Sequence, residues 1–149
     1  MSLEQQLMED MKAALKAGDR IRLETIRGLR AQLKNAQIEK GESLTEDDVI
    51  RVLMNAAKKR KEAIEQYRSL GKEDRAAEEE QELRIIQSYL PEQMSEEELA
   101  RLIEDVVREV GATSIKDMGK VMGVIMPRVK GKADGKVVQQ MVRTKLTSL

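Results

Sequence analysis

The feature that most restricts this chain is the spacing of its apolar residues. They recur at three- and four-residue steps almost from end to end, and no segment alternates cleanly at period two. Leu3, Leu7, Met11, Ala14 and Leu15 begin the pattern, and Leu99, Leu102, Ile103, Val106, Val107 and Val110 show it most regularly. Side chains three and four apart share one face of a helix, whereas a half-buried strand needs strict alternation. An all-α protein is therefore expected. Its cores are aliphatic, since Tyr67 and Tyr89 are the only aromatic residues.

Caps and breakers divide the pattern into segments. Ser2 is placed to cap a first helix over 2–17, and Ala17-Gly18-Asp19 stops it and caps a second over 20–40. Thr45-Glu46-Asp47-Asp48 resembles a capping box opening a third helix, with Asp48 where Glu or Gln is usual. Leu70-Gly71-Lys72 breaks that helix before a fourth, Glu73 to Ser88. Tyr89-Leu90-Pro91 is the clearest boundary, because Pro91 biases Leu90 out of the helical region and cannot itself continue a helix. Ser95-Glu96-Glu97-Glu98 then reads as a capping box for a fifth helix ending at Gly111. Ser114 is a candidate cap for a sixth, with Ile115, Met118, Met122, Ile125, Met126 and Val129 as its stripe. A last helix carries Val137, Val138, Met141, Val142, Leu146 and Leu149. The expected architecture is an N-terminal bundle of about four helices, residues 1–90, followed by a small domain of about three, residues 91–149.

Composition excludes several chemistries. The 149 residues contain no cysteine and no histidine, so disulfides, thiolate or histidine metal clusters and Ser–His–Asp catalysis are all excluded. With no Trp or Phe, base stacking is not a main mode of binding. Two charge runs point elsewhere on first inspection. Lys58-Lys59-Arg60-Lys61 spreads around its helix and makes no flat patch, and Glu78, Glu79, Glu80 and Glu82 diverge and read as a solvated face rather than a metal site. The formal net charge is zero, yet residues 111–149 hold eight Lys or Arg against two Asp. Such a basic end suits a polyanionic partner or attraction to the acidic remainder. The N-terminus lacks a basic flank and an apolar run, and no stretch approaches the ~20 apolar residues of a membrane span. A soluble, cytoplasmic protein with no membrane partner is expected.

The stretch Gly119 to Lys136 is least explained by folding. Gly119 and Gly123 lie on one helix face, each costing about 1 kcal/mol relative to Ala, which suggests close approach by another helix or by a partner's backbone. Lys130, Lys132 and Lys136 bracket Gly131, Asp134 and Gly135, and Asp134 is a plausible N-cap for the last helix. A helix N-terminus flanked by Gly and Lys can hold an anion. An ordinary helix corner with solvated lysines accounts for the same spacing.

At these residues the chain resembles the YqeY family, which shares a domain with the C-terminal tail of the B subunit of glutamyl-tRNA(Gln) and aspartyl-tRNA(Asn) amidotransferases. The matching stretches are Leu29-Arg30 through Lys34-Asn35, Tyr89-Leu90-Pro91-Glu92-Gln93, Gly119-Lys120-Val121-Met122-Gly123, and Lys130-Gly131-Lys132-Ala133-Asp134-Gly135-Lys136. The resemblance implies a helical bundle followed by a small helical domain that helps engage tRNA. It also implies an amidotransferase or another protein as partner. In the amidotransferase the chemistry lies in a separate catalytic domain and in the amidase subunit. A carbon–nitrogen ligase activity with glutamine as amido donor would come only by inheritance from that larger protein. No nucleophile–base pair, recognised ATP loop or metal cluster stands in this sequence to support it, so no catalytic residue, cofactor or metal is expected. Carried onto this chain, phosphate contacts fall to Lys130, Lys132 and Lys136, with Lys120, Arg128 and Arg143 as secondary candidates. Gly131 and Gly135 would permit close backbone approach, and the N–H groups around Asp134 to Lys136 would add to the site. A protein-interaction module using the Met-containing helix is the alternative.

Overall fold

Polar caps fix where the helices begin. In the computed structural model, which describes residues 1–149, Ser2 Oγ accepts the Gln5 N–H at 3.1 Å while the Gln5 side chain accepts the Ser2 N–H at 3.1 Å, opening α1 (Leu3–Ala17). Asp19 accepts the Arg22 N–H at 3.2 Å and opens α2 (Arg20–Lys40). Thr45 and Asp48 exchange side-chain and backbone hydrogen bonds at the start of α3 (Glu46–Ser69), so aspartate serves in the box where glutamate is usual. The Asp48 carboxylate also holds Lys40 Nζ at 2.5 Å. That bond, followed by the bonds from Thr45, lowers its pKa to about 2. Gly71 turns the chain at a left-handed φ of 72° into α4 (Glu73–Gln87).

These four helices form one compact unit, Met1–Pro91. Its centre is aliphatic: Leu7, Ile26, Leu29, Leu53 and Ile86 are almost wholly enclosed. Each such side chain contributes about 1.5–3 kcal/mol through removal from water. Leu15, which the spacing assigned to the stripe of α1, is exposed.

The acidic run of α4 differs from expectation. Glu79 and Glu82 reach Arg60 of α3 at 3.3 and 3.4 Å, and Glu80 pairs with Arg68. Ala56, Ala57 and Ala76 are buried small residues on α3 and α4, and these helices pack closely enough for their long polar side chains to meet. Burial raises the Glu82 carboxyl above its ordinary range.

Tyr89 closes the unit. Its ring is buried and its hydroxyl donates to Asp10 Oδ2 at 2.6 Å. Burial, then the bond to Asp10, pushes the phenol well above its usual pKa. Removing this hydroxyl in Tyr89→Phe is expected to cost about 1–2 kcal/mol in urea unfolding at neutral pH. Because the folded pKa is raised, the phenol's contribution is complete below about pH 10 and is lost as pH rises beyond it. The difference between wild type and Tyr89→Phe should therefore shrink above pH 10, and a difference that grows there would contradict the assignment.

The second compact unit is Glu92–Leu149. Ser95 caps α5 (Glu96–Val110) by accepting the Glu98 N–H at 3.1 Å, but the Glu98 carboxylate takes the Ser95 hydroxyl rather than its N–H. The capping box expected there is thus half formed. A 3₁₀ turn, Ile115–Asp117, leads into α6 (Met118–Val129), and α7 is Gly135–Thr147. The core is a three-helix contact of Leu99, Ile103 and Val106 with Val121, Ile125 and Val129, closed by Val138, Val142 and Leu146. Ile115, Met126 and Val137, which the spacing placed inside, are exposed. The stripe of α6 instead follows the four-residue step of Val121, Ile125 and Val129, all at 0% exposure. Pro127 sits in the last turn of α6, where a missing N–H disturbs little of the helix beyond it. No strand is present, and no helix is long and apolar enough to cross a membrane.

Candidate nucleic-acid interface

The loop between α6 and α7 carries most of the singled-out residues, and its shape follows from Gly131. That residue is buried and has φ of 73°, a conformation that L side chains rarely adopt. Its carbonyl accepts Gln93 Nε2 at 2.7 Å, and the next carbonyl, of Lys132, accepts the Met94 N–H at 2.9 Å. The segment after Pro91 therefore grips the glycine–lysine loop through backbone carbonyls. No side-chain pattern announces these bonds; only the recurrence of Gln93 and Gly131 in two separate distinctive stretches hinted at a connection. Gly131 thus serves the turn and its anchoring rather than leaving bare backbone to a ligand. Held this way, the loop leaves Lys132 and Lys136 exposed.

Asp134 caps α7 as expected, its Oδ1 accepting the Lys136 N–H at 3.2 Å. One N–H of the proposed anion site is consequently already satisfied by a carboxylate, which leaves the ammonium groups as the main source of attraction. Gly135 begins α7 beneath Met126: a Cβ at Gly135 would meet Met126 Cε at 3.4 Å. On α7, Lys136 and Arg143 are exposed and seven residues apart, which places them two turns apart along one side.

The two glycines of α6 turn outward. Gly119 and Gly123 are exposed, with no atom of the chain within 4 Å of where a Cβ would stand. No helix of this chain approaches them closely, so of the two explanations read from their spacing, packing within the chain is removed. Lys120 lies exposed beside them and helps hold the Asp117 carboxyl below its ordinary pKa, behind the larger effect of the Thr113 and Ser114 N–H groups. With space free on all sides, Gly123→Ala is expected to stabilise the unit by about 0.5–1 kcal/mol in urea unfolding. Destabilisation would mean that the position is not open.

Arg128 stands apart from the other candidates. It forms a two-pronged ion pair with Glu109 of α5, at 3.2 and 2.8 Å, which lowers the Glu109 carboxyl and raises the guanidinium. A partly exposed pair of this kind is worth at most about 1 kcal/mol, but it occupies the fork that a phosphate would need. Lys145, which the sequence did not single out as a ligand, reaches Glu104 of α5 at 3.3 Å. α5 thereby offsets part of the basic end. Counted over Glu92–Leu149, the unit has ten Lys or Arg and nine Asp or Glu, so its basic character lies in where the charges stand rather than in their sum.

Comparison with known proteins agrees with this arrangement of motifs. The mitochondrial protein named altered inheritance of mitochondria protein 41 from Vanderwaltozyma polyspora is 29% identical over 119 residues, which cover 75% of this chain and 64% of that protein. Its namesake from Pyrenophora tritici-repentis is 28% identical over 85% of this chain and 71% of its own length. A glutamyl-tRNA(Gln) amidotransferase polypeptide of Thermococcus sibiricus is 44% identical over 57 residues, 36% of this chain and 9% of that protein. The chain therefore spans just under two thirds of the first of these and a small part of the last. A family model described as Yqey-like protein matches residues 4–146, from the first turn of α1 to the last turn of α7, and the chain belongs to that family.

Proposed function

We propose that the second unit binds tRNA, or an RNA of similar shape, and that the protein acts as an accessory to tRNA-dependent amidation without a catalytic centre of its own. The observation that carries this reading is the outward face of α6. Two glycines sit there at a cost to the helix, open to approach, beside the exposed Lys120 and followed by the exposed Lys132 and Lys136. A bare backbone ridge next to ammonium groups suits a phosphate chain that must come close without base-specific contacts. Recognition would rest on backbone and shape, because aromatic side chains are scarce. Similarity to an amidotransferase polypeptide named for glutamyl-tRNA(Gln) supplies the RNA class. The proposal places the protein in the cytoplasm, with tRNA.

An NMR footprint tests it. Adding unmodified tRNA to the ¹⁵N-labelled protein should attenuate amide signals of residues 119–136 before others. Gly123→Ala should weaken binding severalfold while raising stability, a combination that no packing role produces. Uniform attenuation, or binding unchanged in Gly123→Ala, would count against the site.

A protein-docking reading has its own observation: Met126 and Ile115 are 37% and 46% exposed in the same stretch of chain. It predicts a partner whose capture survives nuclease treatment and is lost in Met126→Ser.

A further inference from the structure

The first unit contains a cleft that the reading above does not use. Between the first turn of α2 and the second half of α4 lies a cavity of about 280 Å³, lined by Arg22, Arg84, Gln81, Ile21, Ile85 and Ser88. Its volume is close to the lower end of small-ligand sites, ~300 Å³. The lining mixes two guanidinium groups with isoleucine surface, and Ile21 is 44% exposed at its edge.

Charge in this cleft is not balanced from within. Asp19 also borders it, but its carboxylate is committed to α2, accepting the Arg22 N–H at 3.2 Å through Oδ1 and facing Arg22 Nε at 3.5 Å through Oδ2. Arg84 lines the cleft with no carboxylate in ion-pair range. The first turn of α2 contains no acidic residue, so the positive end of its dipole adds to the same sign. Arg22 is also the more tightly placed of the two cations. A second cavity, with Asp10, Ala13 and Ala14 in its wall, adjoins its other side, and it lies near enough to the Tyr89 hydroxyl to act on its ionisation. Arginine held in position beside a free arginine is the arrangement that recognises carboxylate and phosphate groups, since each guanidinium presents a planar fork of donors.

We propose that this cleft binds a small amphiphilic oxyanion, a carboxylate or phosphate monoester bearing a short aliphatic group. Arg84 forms the two-pronged contact, Arg22 supplies the second charge, the Gln81 amide adds a donor, and Ile21 and Ile85 cover the aliphatic part. The Ser88 hydroxyl already donates to the Ile85 carbonyl at 2.6 Å and contributes only its lone pairs. The site is independent of RNA binding by the second unit.

The test titrates the full-length ¹⁵N-labelled protein with butyrate, butyl phosphate, inorganic phosphate and sodium chloride at matched ionic strength. Saturable shifts at Ile21, Arg22, Gln81 and Arg84 with butyrate or butyl phosphate, absent with chloride, are expected. The better of the two organic probes identifies the anion class. Arg84→Gln should weaken binding at least tenfold with helical content unchanged. Ile21→Ser should weaken the organic probes and spare inorganic phosphate. Shifts that do not saturate, that chloride reproduces, or that persist in Arg84→Gln would overturn the proposal.

Discussion

Reversing two charges, Lys132→Glu with Lys136→Glu, should reduce tRNA affinity by about a hundredfold or more at ~50 mM salt and flatten its salt dependence. Each phosphate contact contributes roughly 0.7–0.9 to the slope of log affinity against log salt. Loss of two contacts therefore removes on the order of two decades at low ionic strength, and the new carboxylates add repulsion. Both side chains are exposed, and neither forms an ion pair in the structure, so the fold should tolerate the change. The backbone of this loop is held by Gln93 and Met94, whose bonds go to carbonyls and do not depend on either lysine side chain. Unchanged circular dichroism beside lost binding is the expected pair of results. Arg128→Gln serves as the contrast: its fork is occupied by Glu109, and its effect on affinity should be only a few-fold.

Ile125→Ala should cost the second unit about 2–5 kcal/mol, the range for truncating a fully enclosed aliphatic side chain. Ile125 is 0% exposed on α6 among Leu99, Ile103, Val138 and Val142 of the same core. A unit of this size has a total stability of the same order, at roughly 0.05–0.15 kcal/mol per residue. Such a loss should bring much of the unit near its unfolding midpoint. Amide hydrogen exchange reads the effect by helix. Exchange in α5, α6 and α7 should accelerate strongly, while α1 to α4, whose core shares none of these side chains, should change little. Equal acceleration throughout would show that the two cores unfold together.

Much of this architecture was legible because it depends on local chemistry. The cap residues Ser2, Asp19, Thr45 and Asp134 act on N–H groups two or three residues away, so their spacing alone reveals them. The stripe of α5 was equally plain, since all its apolar residues lie on one face. What escaped was contact between distant segments. Whether Glu79 meets Arg60 depends on how α3 and α4 are registered, and a single helix cannot show that. The same holds for Arg128 and Glu109, nineteen residues apart, which removed one candidate cation from the solvent. On α6 the methionines blurred the stripe: Met118 and Met122 are half-buried and Met126 is exposed, while the three β-branched residues form the inner face.

Within the candidate site, the lysines and glycines were legible as residue types, but their purposes were not. Gly131 and Gly119 look alike in sequence. One is required by a left-handed turn whose carbonyl is bonded to Gln93, and the other occupies an ordinary helical position with open space beside it. Only the second lacks a structural reason, which is why it bears on function.

The most direct measurement is the anisotropy of fluorescent tRNA titrated with the native protein over a series of salt concentrations from ~50 to ~200 mM. Two to four phosphate contacts predict saturable binding at low salt, with a log–log slope of about −2 to −4. No binding at the lowest salt, or affinity that salt leaves unchanged, would contradict an interface built from the exposed lysines around α6 and its following loop.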